Sequence, residues 1–527
     1  MPLPRTARWL LVALLLLLIV VSVAITYMVR ATPMLRDRVV NALNQRFASQ
    51  VSLGALTVAA FPRPEISGSQ LELRHDGRTD VPPLISIRDF SGAAGLRGLF
   101  ATPLHLREIT LNGLTIQVPP GGLGSPAAPR ATEAPGTSDQ VPGNSNQAPG
   151  PSLVIDRIVA APVWLEIASR NPAKPPRVFD IHRLVMTDFS ADGPAAFEAS
   201  LTNAIPAGEI ETKGTFGPYL ARDPGQTPIA GRYTLQEAQL DDIKGLGGTL
   251  SSTGTYEGRL ERLTVKGDTR SENFAIDVSR QPVPLTTQFT AVVDGTNGDT
   301  LLEQVRATLI ETVIEARGAV VRAREVKGRH VDLDVSITDG RIADVLTLAM
   351  KPGTPPLVGA IGVDARLVIP AGDLPVIERM QLDGEFSLRQ ARFTNFNVQK
   401  QVNTLSKRAR GDEGDDAAPS VVSDMTGAFA MRDGTIRFSA LAFSVPGARV
   451  ELAGAYGLQS EEMNFRGHLL MDATLADTTS GLKAIAARLV QPFFRREGGG
   501  SRIPIRVTGT RAKPSFGLDV RRAFLPG

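Results

Sequence analysis

Val331-Asp332-Leu333-Asp334-Val335-Ser336-Ile337-Thr338 is the stretch on which the fold turns. Every second side chain is a large aliphatic and every one between is polar. Side chains of a strand point alternately to its two faces, so these residues read as a strand with one apolar and one wet face. A helix would scatter the same aliphatics around its circumference.

The alternation recurs outward from this point. In 463–475, Met463, Phe465, Leu469, Met471, Ala473 and Leu475 oppose Asn464, Arg466, His468, Asp472 and Thr474. Shorter runs set Phe274, Ile276 and Val278 against Asp277 and Ser279, and Ile361, Val363, Leu367 and Ile369 against Asp364 and Arg366. Ile436 and Phe438 likewise oppose Arg437 and Ser439. Asp433-Gly434, Pro446-Gly447 and Asp339-Gly340 have turn chemistry and are expected to separate strands or close them off. Gly245-Leu246-Gly247-Gly248 reads as a turn. The expected fold class is mainly β, an elongated and curved antiparallel sheet with a few short helices.

Helical periodicity is confined to three places. Leu35, Val39, Val40, Leu43 and Phe47 give 34–47 a one-sided stripe, and 340–349 allows a short helix after a strand. In 478–496, Leu482, Ile485, Ala486, Leu489, Val490 and Phe493 form the longest stripe, which Pro492 kinks or ends. Two uses for that helix remain open: packing over a sheet end, or lying on a membrane surface.

The chain has 527 residues, 57 basic against 54 acidic, for a net charge of +3. Arginine far outnumbers lysine, but the arginines are scattered, and without a basic segment a nucleic-acid partner is not expected. At 42% hydrophobic the chain can bury a large core. The absence of cysteine excludes disulfides, cysteine-zinc sites and thiol catalysis.

Trp9 to Val29 carry no formal charge, long enough at about 1.5 Å per residue to span a bilayer. Residues 1–30 therefore read as a membrane anchor, with Leu14, Leu18 and Val21 in the apolar stretch and Trp9 and Tyr27 at the two interfaces. Cleavage after Ser22-Val23-Ala24 is the rival reading. Arginines flank both ends, so charge does not settle orientation. Residues 119–151, rich in Pro, Gly, Ala and Ser, cannot bury enough to order themselves and read as a linker. Residues 406–420 read as a charged, solvated loop, since Asp412, Glu413, Asp415 and Asp416 lack the ligand spacing of a calcium loop. The β-rich remainder falls into 31–118, 152–405 and 421–527.

The chemistry of catalysis is missing from the sequence. The five histidines, His75, His105, His182, His330 and His468, are far apart and form no metal-binding pair. No nucleophile elbow and no phosphate-cradling glycine loop occurs. Neither an enzyme, a cofactor nor a metal site is expected. Strands with one apolar face leave two architectures open: two sheets stacked on a filled core, or one curled sheet whose inner wall holds lipid chains.

Several phrases together resemble the AsmA family of envelope proteins, within the bridge-like lipid transfer superfamily. Near the N-terminus they are Pro82-Pro83-Leu84-Ile85-Ser86-Ile87, Gly95-Leu96-Arg97-Gly98-Leu99-Phe100 and Leu106-Arg107-Glu108-Ile109-Thr110-Leu111-Asn112-Gly113-Leu114. In the middle they are Asp339-Gly340-Arg341-Ile342-Ala343-Asp344-Val345-Leu346 and Phe393-Thr394-Asn395-Phe396-Asn397-Val398-Gln399. Near the end they are Gly454-Ala455-Tyr456-Gly457, Ile505-Arg506-Val507-Thr508-Gly509-Thr510 and Lys513-Pro514-Ser515-Phe516. The resemblance covers about two-thirds of the chain, and the Pro-rich insertion departs from the pattern. It implies an inner-membrane anchor, a periplasmic body in a Gram-negative envelope, and a hydrophobic β-groove that binds or transfers phospholipid in support of outer-membrane homeostasis. Membrane phospholipids, and an envelope protein as a further partner, are what it implies as partners. It brings no catalytic residues; the groove-lining positions expected are Val331, Leu333, Val335, Ile337, Ile436, Phe438, Met463, Phe465, Leu469 and Met471. The alternative is a non-enzymatic assembly factor or scaffold with a filled β-sandwich core.

Overall fold

The structure, a computed structural model, describes residues 36–37, 39–41, 43–44, 49–59, 65–75, 82–93, 104–118, 153–167, 177–190, 193–220, 223–323, 326, 328–394, 403, 423–471 and 501–518. The expected anchor with Trp9, Leu14, Leu18, Val21 and Tyr27, the linker 119–151, the charged loop 406–420 and the helix 478–496 lie outside the described residues. Among the described residues, no helix is long and apolar enough to cross a membrane.

Among the described residues, twenty-five strands join in one sheet. The first seven are β1 (Ser49–Ala59), β2 (Glu65–His75), β3 (Ile85–Ala93), β4 (Leu104–Val118), β5 (Leu153–Ala160), β6 (Val163–Ile167) and β7 (Arg177–Ser190). Next come β8 (Ala195–Ala204), β9 (Ala207–Phe216), β10 (Pro228–Gln239), β11 (Leu246–Gly247), β12 (Thr249–Arg259), β13 (Arg262–Ile276), β14 (Val283–Val293), β15 (Thr300–Leu309), β16 (Thr312–Arg322) and β17 (Arg329–Arg341). The rest are β18 (Leu357–Ile369), β19 (Gln381–Phe393), β20 (Ser423–Arg432), β21 (Thr435–Val445), β22 (Ala448–Gly457), β23 (Glu462–Met471), β24 (Ser501–Thr510) and β25 (Lys513–Leu518). Two short helices, α1 (Ile342–Ala349) and α2 (Val376–Arg379), sit in connections.

Each strand pairs with the next in the chain, with two exceptions. The two-residue β11 pairs with the end of β13 while β10 pairs directly with β12, so the glycine cluster expected as a turn contributes a short strand. The sheet is curved and antiparallel, as expected, apart from one step: β4 pairs parallel with both β5 and β6. Those two are one strand position interrupted at Ala161-Pro162, and both pair antiparallel with β7. Parallel neighbours require the chain to return to its starting end. Val118 and Leu153 therefore lie at opposite ends of β4, and the Pro-rich segment supplies the return.

The meander gives the sheet two rims. Val118, Ile276, Arg341, Leu357 and Met471 lie along a lower rim, and Leu153, Arg262, Ile369, Gln381, Gly457 and Glu462 along an upper one. At the outer edge of β1, the Val51 N–H donates to Asn44 Oδ1 (2.7 Å) and Arg36 Nη2 donates to the Leu53 carbonyl (2.7 Å). These partners come from the expected N-terminal helix, whose described residues between 36 and 44 are helical. They satisfy backbone groups that an edge strand otherwise leaves open.

The polar face is laced by cross-strand ion pairs. Arg366 holds Asp332 with two hydrogen bonds (2.9 and 2.7 Å), and Arg306–Glu315, Arg389–Asp339 and Arg432–Asp383 follow at 3.3, 3.0 and 2.6 Å. This is where many of the scattered arginines go. A cavity of about 510 Å³ opens on this face, lined by Glu315, Arg317, Asp334, Asp364, Arg366 and Asp383 among others. No group of metal-ligating side chains occurs among the described residues.

Two further expectations are corrected. Asp339-Gly340 lies inside β17, where the register shifts between Ile337↔Val363 and Gly340↔Ile361, so it forms a bulge and not a strand end. Ser279, expected on a wet strand face, is buried in the turn after β13, where the chain has left the sheet and the alternation no longer applies.

Candidate functional site

The register brings the apolar faces of all strands onto one side, and a single row can be followed from one edge of the sheet to the other. It begins with Leu56, Gly68, Phe90, Leu111, Ala160 and Leu184 on β1 to β7. It continues through Ala199, Thr212, Tyr233, Gly254, Gly267, Phe289 and Val305. It ends with Ala316, Val335, Ala365, Gly384, Phe429, Phe438, Gly454, Phe465, Val507 and Phe516. At about 4.8 Å per strand the row is on the order of 100 Å long. Only Thr212 and Tyr233 bring side-chain polar atoms to it.

Burial along the row is unusual for an apolar strip. Ala160 and Phe465 are buried and Phe516 is exposed, while every other member is half-buried. Nearer the lower rim the same face is packed: Leu309, Ile361, Leu388 and Ala391 are 2, 5, 2 and 1% exposed. The face thus has a closed flank and an open middle.

The ten expected lining residues all fall on this face, spread over neighbouring rows. Val335, Phe438 and Phe465 are on the central row. Leu333, Ile436 and Met463 share the next row toward the upper rim, with Val331 beyond them. Ile337, Leu469 and Met471 lie progressively nearer the lower rim. Ile337 and Met471 are buried in local clusters, so they belong to the packed flank.

Glycines opposite aromatic residues shape the open middle. A Cβ on Gly254 would come within 2.8 Å of Tyr233 Cε1, one on Gly454 within 2.8 Å of Phe465 Cδ1, and one on Gly427 within 2.5 Å of Phe386 Cε1. Lacking a Cβ, these positions let the facing rings lie flat across the neighbouring strand. In the last third the rings meet: Phe386 lies 6.2 Å from both Phe429 and Phe438, and Phe438 lies 5.8 Å from Phe465. Phe438 and Phe465 were expected on this face, but their meeting with Phe386 and Phe429 could not be read from the sequence because four strands contribute.

The cover over the face is local. Ile342, Val345 and Leu346 of α1 pack onto Ile337, Ile361, Val363, Phe386 and Leu388. The connection carrying α1 leaves and re-enters the sheet at the lower rim, yet Lys351 Nζ donates to the Gln459 carbonyl (2.9 Å) in an upper-rim turn. Residues 342–356 therefore form a strap between the rims. A second bridge joins the lower-rim end of β13 to the upper-rim ends of β19 to β22, where Ile276 and Val278 pack with Ile377, Met431 and Leu458. Nearby, Val376 N–H donates to the Lys244 carbonyl (3.0 Å) and Lys244 Nζ to the Asp373 carbonyl (2.9 Å).

The fold defines a non-stacked β architecture: one continuous sheet with a charged face and an apolar face partly bridged by its own connections. No family model, no curated protein and no solved structure matches the chain.

Proposed function

We propose that this protein is an AsmA-like, membrane-anchored envelope protein whose apolar floor binds phospholipid acyl chains and passes them along the periplasmic body. The observation that carries the reading is the half-buried central row, about 100 Å of apolar surface with no second sheet laid over it. Exposing that much contiguous apolar area to water is costly, and acyl chains relieve the cost without any fixed complementary shape. Movement along the row breaks no directional bond, so it needs no nucleotide in this chain, and its direction comes from elsewhere.

The test is photo-crosslinking of the full chain in Gram-negative cells, with a photoreactive residue at Val335 or Phe438 on the floor and at Asp334 on the charged face. Phospholipid adducts at the floor and none at Asp334 are expected. Protein adducts at the floor positions instead would establish the scaffold reading, for which the self-covered flank under α1 is the supporting observation.

A further inference from the structure

Hydroxyl groups gather on the floor over β9 to β14. Thr212 and Tyr233 lie on the central row, Tyr256 beside it, and Ser252, Thr269 and Thr287 form a line in the adjoining row. Tyr256 lies over Gly231, whose Cβ would fall 2.6 Å from the phenol oxygen, and Tyr233 lies over Gly254. The two rings point in opposite directions along the row, toward β9 and β13.

Their hydrogen bonds have a fixed direction. Thr212 Oγ1 donates to the Arg232 carbonyl (3.0 Å), and a carbonyl only accepts, so the 2.6 Å contact between Thr212 Oγ1 and the Tyr256 hydroxyl carries the tyrosine's proton. In the same way Ser252 Oγ donates to the Asp268 carbonyl (3.0 Å), and the Tyr233 hydroxyl donates to Ser252 (3.1 Å). Both phenols spend their protons on the floor. What they turn to the groove is an acceptor oxygen beside a flat aromatic face, with no formal charge.

On the reading of the groove as a lipid path, we infer that Tyr233 and Tyr256 form a station for the headgroup of a phospholipid bearing a primary ammonium. Such a group supplies the N–H donors that two acceptor oxygens lack, and its charge is attracted to the ring faces. A trimethylated ammonium satisfies the second condition and fails the first. The station therefore favours ethanolamine over choline lipids with the same acyl chains.

The experiment uses the full chain with a photoreactive residue at Phe289, two strands beyond Gly254 on the central row, mixed with vesicles of equimolar phosphatidylethanolamine and phosphatidylcholine. Mass spectrometry of the adducts is expected to give a ratio of about tenfold, the worth of one hydrogen bond to a charged group. In Tyr233→Phe/Tyr256→Phe the ratio is expected to fall to about one. Equal labelling in the unsubstituted chain, or a preference that survives the double substitution, would overturn the station and leave the groove standing. No lipid adduct at Phe289 or at Phe438 would overturn the groove reading and the station with it.

Discussion

Leu388 and Phe438 face the same side of the same sheet and carry different loads. Leu388 is 2% exposed beneath α1, so Leu388→Ala leaves a cavity and is expected to cost about 3 kcal/mol in urea unfolding. Phe438 is half-buried, and Phe438→Ala is expected to cost about half as much. Leu333→Asp separates the two architectures most sharply. On a half-buried row the carboxylate can turn to water, so a loss of about 1 kcal/mol is expected together with loss of lipid adducts; a loss of about 4 kcal/mol or more would mean a filled core.

Titration reports on the same residues. Burial pushes the Tyr233, Tyr256 and Tyr456 phenols above the ordinary tyrosine value. A raised value means that the fold favours the protonated phenol. That contribution is complete below about pH 10 and is lost as pH rises through the higher folded values. Phenolate absorbance of the native chain should therefore develop later in an alkaline titration than that of the urea-unfolded chain, and Tyr233→Phe/Tyr256→Phe should shrink the late phase. The hydrogen bond from Arg366 holds the Asp332 carboxyl below its usual range. Its contribution is present above about pH 4 and lost as pH falls through the lower folded value, so Asp332→Asn should flatten the acid limb of the stability curve slightly.

At the scale of elements, bulges decide how far a period-two reading carries. Residues 331–337 alternate without interruption and were legible as they stand. Leu388 and Ala391 both face the floor because Gln390, at φ 53°, adds a residue to β19, and Phe438 and Leu441 are separated by a similar shift. Each bulge flips the parity of the pattern, so continuing an alternation past it assigns residues to the wrong face. Gly467, in unbroken register between β22 and β24, lies close to its neighbour: its Cβ would collide with the Glu451 carbonyl oxygen of the paired strand. Gly467→Ala is expected to cost about 2 kcal/mol or more, readable as earlier urea unfolding. The strap is a second element-scale device. Ile342→Asp places a charge under α1, and faster amide exchange in 342–349 than in β17 is expected if the strap lifts while the sheet persists.

For the whole molecule, the parallel step at β4 sets a length requirement. Val118 and Leu153 are separated by the length of β4, about 45 Å, and an extended chain covers about 3.3 to 3.6 Å per residue. Cutting 119–151 to five residues cannot span that gap, so insoluble or misfolded chain is expected. A Gly/Ser segment of the original length should preserve the far-ultraviolet spectrum and the urea midpoint. A tolerated five-residue link would contradict the parallel pairing.

The sequence by itself determined the class of secondary structure and which side chains share a face, because alternation is a property of neighbouring residues. All ten expected lining positions lie on one face for that reason. Only the tertiary structure decided how the strands follow one another, the parallel step, the aromatic floor and the two bridges between the rims. Those depend on register between residues tens to hundreds of positions apart, and on bulges whose place is set by the partner strand. The hydroxyl station belongs with them: five strands contribute to it, and no local pattern gathers their residues.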